Sequence, residues 1–105
     1  MRTVRFSVTA RDQLRDLLAA GVPSFGPKVV AEKRDRVYDT VDNVLARFPA
    51  TKRPHPTLNL VVYPISDTPF LVLYDFDDAE LRVHFVLLKG ASSRLEDLDP
   101  KSVEW

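Results

Sequence analysis

The chain has 105 residues, 45% hydrophobic and 29% charged, which is one folded domain with a single core and no room for a second. Its 15 Lys and Arg balance its 15 Asp and Glu, so a generally basic nucleic-acid binder is disfavoured, while a local basic patch stays open. The absence of cysteine removes disulfides, thiolate nucleophiles and Cys-based zinc sites, and the 2 histidines, His55 and His84, are too few for a His-rich metal site.

Residues Met1 to Ser7 mix charge into a short apolar alternation and lack the continuous apolar stretch of a signal peptide. No apolar run approaches the roughly 20 residues that span a bilayer. Glycine is rare and the prolines are scattered, so no flexible linker divides the chain. The expectation is one cytoplasmic domain over residues 1–105, without membrane contact.

Val4, Phe6 and Val8 alternate with Arg5 and Ser7, a strand with one apolar face. Thr9 and Asp12 then resemble a helix cap, and Leu14, Leu17 and Leu18 follow at helical spacing. Gly21 and Pro23 read as the stop, so the spacing predicts a helix over roughly residues 10–20. Ser24, Gly26 and Pro27 open a second helix. There Val30, Val37, Val41, Val44, Leu45 and Phe48 form one apolar stripe, and Pro49 ends it. The two helices make a hairpin. A stiff, basic loop follows at Lys52, Arg53, Pro54, His55 and Pro56. Leu58 to Ile65, Phe70 to Tyr74 and Leu81 to Leu88 are strand-like, joined by turns at residues 66–69 and 75–79. Pro64 lacks an N–H and belongs at a bulge or a non-bonded position. The resulting expectation is an α+β fold of order β-α-α-β-β-β. Its twisted sheet is antiparallel throughout, with the helical hairpin on one face.

Alternation along the last strand sends Leu81, Val83, Phe85 and Leu87 toward the helices, and Arg82 and His84 to the opposite face with Arg5. Two readings of that polar face stand: solvated side chains on an open sheet, or a contact for an anion or RNA. His84 is no general base until a second group orients it. Lys52 and Arg53 pose the same choice, between a solvated loop and a phosphate grip. Asp75, Asp77, Asp78 and Glu80 surround a tight turn, where Asp is the ordinary turn residue and a weak hard-cation site is the other reading. No Gly-rich phosphate cradle and no metalloprotease, hydrolase or EF-hand motif is present, so neither cofactor nor metal is expected.

The runs at residues 60–63, 70–74 and 85–88 are apolar on both faces. Such strands need cover on both sides. One helical hairpin covers one side, and the short acidic tail after Ser92 covers part of the other. A protein partner or a second copy is therefore expected on the remainder.

In order and size the chain resembles the ParE/RelE superfamily of toxins from bacterial type II toxin–antitoxin modules. V-R-F-S-V-T-A-R-D-Q-L (Val4 to Leu14) is similar to that family's first strand, polar cap and first helix. F-L-V-L-Y-D-F-D-D-A-E-L-R-V-H-F-V-L-L-K-G-A-S-S-R (Phe70 to Arg94) is similar to the ParE ending. Lys89 stands before Gly90 where ParE proteins usually carry His. The acidic stretch Leu95-Glu96-Asp97-Leu98-Asp99 stands where RelE ribonucleases carry basic, His or Tyr residues.

The resemblance implies a toxin neutralised by a cognate ParD-like antitoxin. The ParE side implies inhibition of DNA gyrase by protein–protein contact, with no catalytic residue and no direct DNA binding by the toxin alone. The RelE alternative is a ribosome-dependent mRNA endoribonuclease using Lys52, Arg53, Arg82 and His84. An orphan binding domain is the third reading. Antitoxin contact falls to Lys28, Lys33, Arg34 and Arg36 on the second helix and to Val86 and Leu88 on the last strand; target contact falls to Lys89 and Arg94.

Overall fold

Ser7 sets the boundary between the first two elements. Its Oγ donates to the His84 carbonyl at 2.7 Å and accepts from the Ala10 N–H at 2.8 Å. The chain thus leaves β1 (Thr3–Phe6) and enters α1 (Val8–Asp39) in one step, with Ser7 as the cap. Thr9, expected as the cap, lies inside the first turn, and its hydroxyl accepts from the Glu104 N–H. The computed structural model describes residues 1–49 and 54–105, with the side chains of 91–93 left out.

α1 is broken at Gly26, whose φ of 81° and ψ of 160° belong to a region open almost only to glycine. Its two arms, residues 8–25 and 27–39, fold back on each other. A Cβ on Gly21 would lie 3.4 Å from Val30 Cγ2. In a continuous helix, nine residues would hold those positions roughly 13 Å apart along the axis. The expected hairpin is present, but its first arm runs through Gly21 and Pro23 before Gly26 reverses it. Gly21 serves the close approach of the arms instead of the stop. Pro27 opens the second arm, where its missing N–H leaves no bond unmade.

The second arm continues into a π turn, Thr40–Leu45, in which the Ala46 N–H reaches back five residues to the Val41 carbonyl. The wider turn re-phases the apolar stripe. Val37, Val41 and Leu45 are buried, whereas Val44 and Phe48 face solvent.

Three further strands complete the sheet: β2 (Val61–Pro64), β3 (Phe70–Phe76) and β4 (Glu80–Leu88), in the spatial order β1-β4-β3-β2. β2–β3 and β3–β4 pair antiparallel, as the meander expectation requires. β1, however, pairs in parallel with β4, with Thr3 opposite Glu80 and Phe6 opposite Val83. The sheet is therefore mixed, not antiparallel throughout. The cause is where the second arm ends: the Arg2 N–H donates to the Ala46 carbonyl at 3.2 Å. The hairpin has returned the chain to the end where β1 began, so β2 starts from that end and runs with β1. Pro64 sits on the outer strand. Because the Ile65 N–H bonds the Phe70 carbonyl, the Pro64 nitrogen faces away from β3, at a non-bonded position.

A bulge then re-addresses β4. Leu73 pairs with Phe85 and Tyr74 with Val83, which leaves His84 as the extra residue. Leu81, Val83 and Val86 join the helix-side core with Phe6, Leu14 and Val41. Phe85, expected in that core, is buried on the opposite face with Leu71 and Leu73. Leu58 and Leu60, together with Leu95, Leu98 and Val103 of the tail, cover this second face. The chain thus supplies the cover that the sequence assigned to a partner or second copy. Among the described residues, no helix is long and apolar enough to cross a membrane.

Candidate functional site

Arg82 and His84 lie on the tail side of the sheet with Arg5, as alternation predicts, but they do not form an open basic patch. Arg82 is the centre of three carboxylates: its Nε is 2.8 Å from Asp75 Oδ1, and its Nη1 is 2.9 Å from Asp77 Oδ2 and 3.1 Å from Glu80 Oε1. These contacts raise the pKa of Arg82 further, the Asp77 hydrogen bond most. In return Arg82 pulls the Asp77 carboxyl down to about 2, helped by the Ala79 and Glu80 N–H groups that Asp77 Oδ1 accepts at 2.9 and 2.8 Å. Asp75, Asp77 and Glu80 are thus committed to a turn and its arginine, which is the turn reading of the acidic cluster.

His84 is mostly covered, its side chain 13% exposed. Nε2 lies 3.3 Å from Asp75 Oδ1 without hydrogen-bond alignment, and neither ring nitrogen has a hydrogen-bond partner among the described residues. The lone tryptophan, Trp105, meets the imidazole edge-on at 4.8 Å, and the Arg5 guanidinium lies 5.0 Å from the Trp105 ring centre. Of the proposed nuclease set, the structure brings Arg82 and His84 together, but Arg82 is fully engaged and His84 is capped. Lys52 and Arg53 lie outside the described residues. His55 shapes its own loop: its Nδ1 faces the Thr57 and Leu58 N–H groups at 3.3 and 3.4 Å.

An open apolar cleft lies elsewhere. A cleft of about 570 Å³ runs between the helical hairpin and the end of the sheet where β3 begins and β4 ends. Leu17, Leu18 and Gly21 line it from the first arm, Phe25 from the reversal, Val29 and Val30 from the second arm, and Phe70 and Leu88 from the sheet. Phe25 is 67% exposed and Leu88 44%. Lys33, Lys89, Asp67 and Thr68 are the polar members of a mostly apolar lining, and the Lys33 ammonium donates to the Asp67 carbonyl at 2.6 Å. The folding that makes it is local. Gly21 lets the arms close up, and Gly26 turns the chain so that Phe25 projects without a partner strand over it.

Of the residues expected to contact a partner, Lys33 and Leu88 line this groove, and so does Lys89, expected to meet the target. Lys28 is exposed near the start of the second arm. Arg34 pairs with Asp35 at 3.2 Å, and Arg36 reaches the Ser66 carbonyl and Asp67 at 3.3 and 3.5 Å. Arg94 is exposed in the tail, away from the groove lining. Val86 is fully buried beneath the helices and has no surface to offer, because the bulge turned it inward. The sequence reading missed Leu17, Phe25 and Val29 as surface. The signal was there: Val22, Phe25 and Val29 surround the Gly-Pro break, where the apolar face runs on past the core.

No family model matches the chain, and no curated protein does. Among solved structures, its fold is similar to a chain of the chromosomal ParDE TA system from P. aeruginosa, with a TM-score of 0.67, 13% identity, and coverage of 84% of this chain and 96% of that one. The architecture is therefore the one implied by the resemblance of Val4 to Leu14 and Phe70 to Arg94.

Proposed function

We propose that the chain is the toxin of a type II toxin–antitoxin module, of ParE type. On this reading a cognate antitoxin neutralises it by laying the apolar face of an amphipathic segment into the groove between the helical hairpin and the sheet. The groove carries the reading, because Phe25 and Leu88 stand exposed at a concave, mostly apolar cleft whose shape suits the apolar face of an amphipathic segment. Lys28 and Lys89 supply positive charge around it, beside Lys33 and Arg36 held at Asp67, which suits an acidic flank on that segment and speeds encounter. The ParDE fold neighbour supports the partner class.

The same reading makes DNA gyrase the target, met through protein contact. Its support is the ParE resemblance, together with the engagement of Arg82 by three carboxylates and the capping of His84 by Trp105. Arg82 is held by carboxylates and His84 is mostly covered, so neither forms an open anion site in the closed chain. Induced expression in bacteria tests the reading. The chain alone should arrest growth with filamentation and a DNA-damage response, and coexpressed antitoxin should restore growth. A rapid translation stop with mRNA cleavage would move the target to the ribosome, and unimpaired growth would remove the toxin reading.

A further inference from the structure

The tail behind β4 is held to the fold without a strand or α-helix of its own. It consists of two 3-10 pieces, Lys89–Asp97 and Pro100–Ser102, whose bonds have poorer geometry than those of an α-helix. Its apolar anchors are Leu95, Leu98 and Val103, and they belong to a core cluster separate from the one under the helices. The end of the tail is pinned at one place. The Glu104 carbonyl accepts from the Val8 N–H at 2.8 Å and the Thr9 N–H at 3.4 Å, the otherwise unpaired donors of the first helical turn. The Glu104 N–H donates to Thr9 Oγ1 at 3.0 Å. Beside it, Trp105 packs between the His84 ring and the Arg5 guanidinium.

We propose that residues 103–105 are a latch and the tail is a strap, which opens and closes as one unit while the helix-side core stays folded. The helix-side cluster includes residues of all four strands and both helical arms, so it keeps its own cover when the strap lifts. Lifting unmasks Leu71, Leu73 and Phe85, and with them the imidazole of His84. The part of the second face that Leu95, Leu98 and Val103 cover is then a gated surface, latched at residues 103–105, while Leu58 and Leu60 keep their own share of the cover. This inference stands on the tail contacts and holds whether or not the chain is a toxin, but an open strap would also uncap the His84 ring that Trp105 covers.

Native-state hydrogen exchange on the full chain tests it, with Trp105→Ala and Trp105→Phe as variants. In the wild type, the amides of Val8, Leu98 and Glu104 should exchange through an opening with weak denaturant dependence, well before the central amides of β3 and β4. Trp105→Ala should speed exchange at Val8 and Leu98 by about tenfold or more and leave the central strands within about twofold. It should also create binding of a hydrophobic dye, and Trp105→Phe should restore most of the protection. Tail and central-strand amides exchanging together, with one denaturant dependence, would overturn the proposal, as would a Trp105→Ala chain whose tail protection is unchanged.

Discussion

Phe85 and His84 show how a single residue re-addresses a strand. Strict alternation along residues 81–88 puts Phe85 with Leu81 and Val83, and a period-2 pattern cannot reveal an inserted residue. Burial of Phe85 was legible and its face was not. Phe85→Ala should still cost about 3–5 kcal/mol in chemical denaturation, because the ring is nearly fully buried between strands and tail. The loss should fall on the tail-side cluster, so tail amides lose more protection than helical ones. The polar neighbours were legible as a group, since Arg5, Arg82 and His84 share the expected face, but their partners were not. Arg82 meets Asp75 across the strand pair and Asp77 across the turn, contacts set by register. Asp77 gives a pH prediction with a definite sign. Its carboxyl titrates at about 2 in the folded chain against an ordinary 3.8, so its contribution to stability is present above pH 3.8 and is lost as pH falls through about 2. In Arg82→Gln the Asp77 midpoint, followed by carboxyl NMR, should climb back toward 3.8. A midpoint that stays near 2 would mean that the turn N–H groups alone hold the carboxylate.

Element boundaries follow from local chemistry that the sequence displays with more than one solution. Ser7 and Thr9 are both competent caps, and the choice fell to Ser7 because its hydroxyl also closes on the His84 carbonyl across the β1–β4 junction. Ser7→Ala removes a cap and strands that buried carbonyl, and should cost about 1–2 kcal/mol. Gly21 and Gly26 are both competent stops. Only Gly26 has the positive φ, and nothing lies within 4 Å of where its Cβ would go. Gly26→Ala therefore meets conformational strain alone, about 1–3 kcal/mol, whereas Gly21→Ala only brings a methyl to 3.4 Å from Val30 Cγ2 and should cost less. Thermal or denaturant melts of the two variants separate these causes. The strands themselves were plain in the sequence, since β-branched and aromatic runs bounded by Asp, Pro and Ser need no tertiary information. The parallel pairing of β1 was not, because it depends on where the second arm ends, beside Arg2, which no local pattern encodes.

On the scale of the whole molecule, the partner expectation was right in its premise, that two-faced apolar strands need cover, and wrong in which surface stays open. Leu95, Leu98 and Val103 fold back over Leu71, Leu73 and Phe85, and the uncovered apolar area lies instead at the mouth of the helical hairpin. A surface of that kind forms where two arms and a sheet end meet, so it is a product of assembly, and only Val22, Phe25 and Val29 hinted at it. An antitoxin that fills the groove and continues along the chain should bury roughly 2,000 Å² or more in total. Single Arg82→Ala or His84→Ala substitutions should leave toxicity largely intact on the gyrase reading, whereas loss of a positioned acid or base from a nuclease would cost about 10²–10⁴-fold. Calorimetric titration of the cognate antitoxin into the wild-type chain and into Phe25→Asp and Leu88→Asp shows whether the groove is where the antitoxin docks. Both side chains are already exposed, so the variants should remain folded by circular dichroism. A buried carboxylate in an apolar contact should weaken binding by about 100-fold or more. Antitoxin binding of unchanged affinity in both folded variants would contradict the account.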